Sequence, residues 1–174
     1  PSSGGLSYPF ETLLKLFEKV PTIKAIKDWC NEPMLHEKHI RVFQNLPNPV
    51  NVLTTHSAWL MSSLVMGANG LLSGAGSVIA PLQVRLFNAV KNNNLEEARD
   101  INDKIFPLVQ LFYKPPFLDM HNRMKETLVI LNAMKKAVVR PPLMKLPFEE
   151  IEELKNTVND INLDNKLNFV KLVV

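Results

Sequence analysis

Lys27 is the residue whose type and place most suggest chemistry. It lies in the stretch TIKAIKDW (residues 22–29), where a short β-branched run is bounded by Pro21 and by the polar segment DWCNEP, a pattern that predicts a buried strand. With the period-two alternation of a strand, Ile23, Ala25 and Lys27 share one face and Lys24 and Ile26 the other. Lys27 then closes the strand at the end where βα units keep their active sites, and the small Ala25 on the same face leaves room beside it. A lysine so placed can be desolvated, its pKa lowered, and its amine used to attack a ketone and form a Schiff base. The competing reading is an ion-paired lysine at a strand end. Lys24, lower on the opposite face, reads as a side chain snorkelling between helices.

A second group follows the next strand. Thr54, Thr55 and His56 in LTTHS could supply hydrogen bonds to a carboxylate or hydroxyl, or Thr55 or Ser57 could simply cap the following helix. His36 and His39, with Glu32 and Glu37 nearby, raise the question of a metal. The run HEKH does not match H-E-x-x-H, and ligands this local on a polar helix read as a solvated face, so no metal is expected. Cys30 is the single cysteine; it excludes an internal disulfide framework and fits a reducing, cytoplasmic setting. The glycines of GANGLLSGAG match neither dinucleotide nor Walker fingerprints and read as turns around a very short strand with close backbone approach to a small ligand. A phosphate-binding loop there is the weaker alternative. His121, near a helix start, reads as structural or interfacial, and no Ser-His-Asp grouping can be argued across separations this long.

The elements that must position these residues come in a regular order. Phe10, Leu13, Leu14 and Phe17 fall on one helical face. After the first strand, a helix is predicted over about Met34 to Gln44. A second strand near Val50 to Thr54 follows, then a helix ended by Gly67, a very short strand, and a helix from about Val78 to Val90. Short strands alternating with such helices indicate parallel βα units, either an open sheet or a (β/α) barrel. From Asn94 the chain reads as helical. NLEE forms a capping box with Asn94 as N-cap and Glu97 at N3. Ala98, Ile101, Ile105, Leu108 and Phe112 mark an apolar stripe with a kink at Pro107. A further helix is predicted from near Asp119 to Lys136, with Met124, Leu128 and Leu131 facing inward. RPPLMKLP is an extended connector, and Pro147 opens a last helix with Glu149 and Glu150 in its first turn. Residues 1–93 are thus expected as barrel-type βα units and 94–174 as a helical region.

Bulk properties narrow the function. The 174 residues are 46% hydrophobic, enough to bury a sizeable core. The balance of 20 Lys+Arg against 17 Asp+Glu has no basic block or aromatic interleaving, so nucleic acid is not an expected partner. No run approaches the ~20 apolar residues of a membrane span. The region between Val42 and Val84 lacks Asp, Glu, Lys and Arg and reads as protein interior. The opening PSSGG shows no signal-peptide pattern and reads as the middle of something longer.

Taken together, VPTIKAIKDW, MGANGLLSGAGSVIAP, LEEARDINDKIFPLVQLF, KETLVILNA and VVRPPLMKLPFEEIEELK resemble, in order and spacing, the dihydrodipicolinate synthase and N-acetylneuraminate lyase family. The resemblance implies an α/β fold: the C-terminal part of a (β/α)8 TIM barrel, about three parallel strands with helices, plus a C-terminal helical appendage. It implies a class I aldolase or lyase that joins pyruvate or another 2-keto acid to an aldehyde, or reverses that step. Such enzymes use a lysine Schiff base without cofactor or metal, commonly as homotetramers. Lys27 matches the imine-forming lysine, with Ala25 in place of the usual glycine. Thr54 and Thr55 match residues that help hold the keto-acid head, and Leu72 matches an aliphatic residue whose backbone lies against the pyruvyl group. His56, Ser73 and Trp29 would reach the variable end of the substrate. Pro1 matches the proline of a Tyr-x-x-Pro motif whose tyrosine relays protons, so that tyrosine and about five strands would lie upstream. Ser3 stands where dihydrodipicolinate synthases carry an arginine, and Ser57 and Ala58 where sialic-acid lyases carry an acidic pair, so neither specificity is implied. The alternative is a non-catalytic relative or inactive fragment that only binds a small keto acid.

Overall fold

Period-2 and period-3.6 patterning alternate along the first part of the chain, and the computed structural model follows them. It describes residues 8–55 and 57–163; Pro1, Ser3, His56 and the tail past Leu163 lie outside the described residues. The elements in order are α1 (Phe10–Lys19), β1 (Ala25–Asp28), α2 (Pro33–Phe43), β2 (Asn51–Thr54), a 3-10 turn (Ser57–Trp59), α3 (Leu60–Val65), β3 (Gly70–Leu71) and α4 (Gly76–Lys91). They continue with α5 (Leu95–Tyr113), a second 3-10 turn (Phe117–Asp119), α6 (Met120–Ile130) and α7 (Phe148–Asp160). Among the described residues no helix is long and apolar enough to cross a membrane.

The chain divides into two packing units between Ser73 and Gly74, whereas the strand-helix alternation runs on through α4. In the first unit the sheet order is β1-β2-β3, all parallel. Ala25 pairs with Asn51, Lys27 with Leu53 and Asp28 with Thr54; Leu53 pairs in turn with Gly70. Sequential order with helical crossovers is what βα units produce. One face of the sheet is covered: Val50 and Val52 join Phe17, Ile40, Phe43 and Ala68 in a core against which Phe10, Leu13, Leu14 and Ile26 pack. Each wholly buried side chain of this size contributes roughly 1.5–3 kcal/mol. Gly67 ends α3 as expected. Its φ of +104° is a conformation that glycine adopts at no steric cost, and its N–H reaches the Leu64 carbonyl at 3.0 Å.

The second unit is helical. The Asn94 side chain accepts from the Glu97 N–H at 3.2 Å, the N-cap bond of the predicted box, and donates to the Glu97 carboxylate at 3.1 Å, whereas the Asn94 N–H is taken by the Ala89 carbonyl. Ala98, Ile101, Ile105, Leu108 and Phe112 are all buried, and α5, which contains Pro107, packs against α4, α6 and α7. The helix expected to reach Lys136 stops at Ile130. Asn132 takes a left-handed φ of 55° and the Ala133 N–H turns back to the Leu128 carbonyl at 2.9 Å, a glycine-like C-terminal cap supplied by asparagine.

Arg123 on α6 has no exposed surface. Its Nε donates to Glu150 of α7, Nη1 to the carbonyls of Phe112 and Lys114, and Nη2 to that of Pro115. A buried guanidinium persists only when its donors are met, and here one side chain joins α6, α7 and the end of α5. Replacing Arg123 by Ala leaves Glu150 with the more distant Lys114 at 3.7 Å and takes the guanidinium donors from three carbonyls; it should cost about 3–5 kcal/mol, read as a lowered urea midpoint of the intact protein. A loss under ~1 kcal/mol would show that the network is dispensable.

Candidate functional site

The alternation read from the sequence sorts the ends of the three strands into two faces. Ile26, Asp28, Val52 and Thr54 lie on the covered face, where Asp28, Val52 and Thr54 are buried. Ala25, Lys27 and Asn51 lie on the other face and are exposed. The strand runs one residue past Lys27, the expected last position, because Asp28 pairs with Thr54. Lys27, Leu53 and Gly70 form one row across the sheet. A Cβ on Gly70 would stand 3.3 Å from the Leu53 side chain, so the glycine keeps that row open.

Backbone bonds zip the C-terminal ends together: the Thr55 N–H donates to the Asp28 carbonyl at 3.2 Å and the Leu72 N–H to the Thr54 carbonyl at 2.8 Å. Lys27, Thr55 and Leu72 are thereby brought to one end of the sheet. Trp29 and Leu72 are about half exposed there, at 52% and 48%. Ser73 is tied to Ser57 by a hydroxyl–hydroxyl bond of 2.5 Å. Thr54 is different. It belongs to the covered face and has no exposed surface, so the structure does not bring its hydroxyl beside Lys27. The desolvated surroundings expected for the Lys27 amine are not built by the described residues of this unit, in which it is exposed. Nor does a hydroxyl cap the helix after β2. A 3-10 turn intervenes, and Trp59 stands at the N-cap of α3 with no side-chain cap bond.

Behind Lys27, on the covered face, lies a cluster that the sequence reading missed. The HEKH face was expected to be solvated, yet His36 and His39 are buried, at 0% and 5% exposure. Asp28 Oδ2 accepts from Nδ1 of His36 at 2.7 Å and from Nδ1 of His39 at 2.8 Å, while Oδ1 accepts from the Cys30 N–H at 2.9 Å. His36 Nε2 lies 2.6 Å from Ser63 Oγ, an acid–imidazole–hydroxyl grouping that sequence separations could not disclose. Burial alone would push the Asp28 carboxyl up, but the hydrogen bonds from His36 and His39, with their charge, hold it well below the ordinary carboxylate range. Burial, then the Asp28 charge, pushes the Cys30 thiol up to about 12, which keeps it protonated and un-nucleophilic. Ligand-capable atoms of Asp28, Cys30 and His36 lie within 4.8 Å of one another, with both carboxylate oxygens engaged by N–H donors. His121 is exposed.

Comparison with known proteins bears on what this geometry serves. The sequence model of the dihydrodipicolinate synthetase family matches residues 1–161. The 4-hydroxy-tetrahydrodipicolinate synthase of Rickettsia prowazekii is 23% identical over 163 residues, covering 94% of this chain and 53% of that protein. Among solved structures, a putative dihydrodipicolinate synthetase from Pseudomonas aeruginosa superposes with a TM-score of 0.79 at 20% identity, over 92% of this chain and 53% of that one. N-acetylneuraminate lyase from Fusobacterium nucleatum, complexed with pyruvate, gives 0.75 at 19% identity, over 90% and 50%. The chain thus spans about half the length of the relatives it matches. Its three parallel strands and helices are the C-terminal part of a (β/α)8 barrel followed by a helical appendage, the expected fold.

The depressed Asp28 carboxyl carries a pH signature. Because the folded state holds the group below its ordinary value of 3.8, the unfolded state binds more protons, so the stabilisation is complete above about pH 4 and is lost as pH falls. Asp28→Asn should therefore cost on the order of 3 kcal/mol near neutrality and progressively less below about pH 4, as measured by urea unfolding of the intact protein at both pH values. An equal cost at both would mean that the carboxylate's charge has no part in it.

Proposed function

The chain belongs to the dihydrodipicolinate synthetase family, and on that premise we propose that it is the lysine-bearing part of a Schiff-base aldolase or lyase acting on pyruvate or another 2-keto acid. The observation that carries this reading is Lys27 at the C-terminal end of a parallel strand, on the face that α1–α3 leave open and in register with Leu53 and Gly70. In βα barrels that end of the strands is where side chains meet substrate. The pyruvate complex of the F. nucleatum lyase supports a keto acid as the ligand.

The chemistry follows from the amine. Lys27 Nζ adds to the keto carbon, the carbinolamine loses water, and the resulting iminium withdraws electrons from C3. Loss of a C3 proton gives an enamine that attacks an aldehyde; in the reverse sense, the iminium accepts the electron pair released when the C3–C4 bond breaks. Both directions need no cofactor or metal. Thr55 and the backbone at Leu72 position the keto-acid head. His56, Ser73 and Trp29 contact the variable end, where an aldehyde partner is bound. The chain spans about half the length of its relatives, so it works as part of an intact barrel: residues 1–93 contribute to the wall and 94–174 form the helical appendage. A cytoplasmic homotetramer is the assembly that the family implies.

Borohydride reduction of the intact protein in the presence of pyruvate should leave a covalent adduct on Lys27, located by peptide mass spectrometry. Lys27→Arg should abolish the adduct and lower turnover by more than about 10³-fold without loss of secondary structure. If wild-type protein binds pyruvate yet yields no adduct, it is a keto-acid-binding relative rather than an aldolase.

A further inference from the structure

Imine chemistry at Lys27 makes no use of the ionisable groups buried on the other side of the same strand. Asp28, His36 and Ser63 stand in the order of a hydrolytic triad, with 2.7 Å between carboxylate and Nδ1 and 2.6 Å between Nε2 and Oγ. A nucleophilic role fails on access: Ser63 and His36 have no exposed surface, and Ser63 lies within α3.

What the arrangement controls is position. Lys27 and Asp28 are successive residues, so fixing the Asp28 carboxylate fixes the peptide joining them and the direction in which the Lys27 side chain leaves the strand. The carboxylate is held from α2 by His36 and His39 and from the following turn by the Cys30 N–H. His36 extends the restraint to Ser63 on α3, and the Asp28 carbonyl is bonded to β2 through Thr55. The rings are themselves packed, His39 against both Phe10 and Phe43, which also stack on each other, and His36 edge-on to Trp59. Resting on the reading of Lys27 as the imine-forming amine, we infer that Asp28, His36 and Ser63 are positioning residues. Their hydrogen-bonded chain fixes the end of β1 so that the Lys27 amine meets the keto carbon at bonding distance. Effective molarity depends steeply on such placement, and a displacement of about 1 Å can cost about 10²-fold.

The test measures the rate of borohydride-trapped adduct formation on Lys27 of the intact protein against pyruvate concentration, which separates half-saturation from limiting rate. Ser63→Ala removes only the outer hydroxyl, His36→Leu removes the whole link, and His36→Asn restores a donor where Nδ1 stood. The limiting rate should fall about tenfold or more in His36→Leu, fall less in Ser63→Ala, and recover in part in His36→Asn. The half-saturating pyruvate concentration should change by less than about twofold, since a purely positional loss acts on the step after binding. Circular dichroism at the assay temperature confirms that each variant is folded. Should His36→Leu fail to fold, Ser63→Ala decides alone. A wild-type limiting rate in folded Ser63→Ala overturns the inference while leaving the Schiff-base reading intact. Absence of any adduct in wild-type protein overturns both.

Discussion

A carboxylate removed from water at the end of a strand must find donors or give up its charge. Asp28 finds three, and much of the first unit's arrangement at that end follows. The two histidines that serve it have to lie three residues apart on one helix, the spacing that puts both imidazoles on the same side. That helix must cross behind β1 with this side inward. The turn from Asp28 to Cys30 must bring an N–H back to the same carboxylate, which in turn sets where the chain leaves the sheet. Packing alone would tolerate a small rotation of α2 better than the two directed hydrogen bonds from His36 and His39 do, because hydrogen bonds weaken steeply with misalignment.

The helical unit uses a buried charge of the opposite sign for the same purpose. Arg123 gathers a glutamate and three carbonyls from neighbouring elements, as Asp28 gathers two imidazoles and an amide. In each case a multivalent group sits where elements converge and satisfies backbone or side-chain partners that would otherwise be stranded. The apolar stripes of the helices bury large side chains, but such burial is non-directional. The ionic centres fix which way the elements face.

Features encoded within a few residues were legible in the sequence. The alternation around Ala25 and Lys27, the Asn94–Glu97 box, the glycine at the end of α3 and the stripe from Ala98 to Phe112 each depend on spacing alone, and the structure follows them. The cluster behind Lys27 was not legible, because its bonds join residues 8, 11 and 27 positions apart and because histidine is compatible with surface and interior alike. A signal was nonetheless present. His36, His39, Ile40 and Phe43 share one helical stripe, and the same alternation that put Lys27 on one face put Asp28 on the other, beside Ile26. A buried acid facing a stripe with two histidines is a pairing that pattern reading could have proposed. The early end of α6 escaped for a different reason, since Asn132 does the work more often given to glycine.

Two adjacent residues of β1 thus carry opposite duties, and the pleat keeps them apart. The side-chain bonds that anchor the strand end are made by Asp28 on one side; Lys27, Leu53 and Gly70 on the other join the sheet through backbone pairing. The side chains of the open face can therefore be recoded without touching the bonds made by Asp28. For protein engineering, a library confined to the alternate positions Asn51, Leu53 and Trp29 would vary the open face while leaving the Asp28 bonds in place. One that strayed a single residue along the chain would mostly sample unfolding.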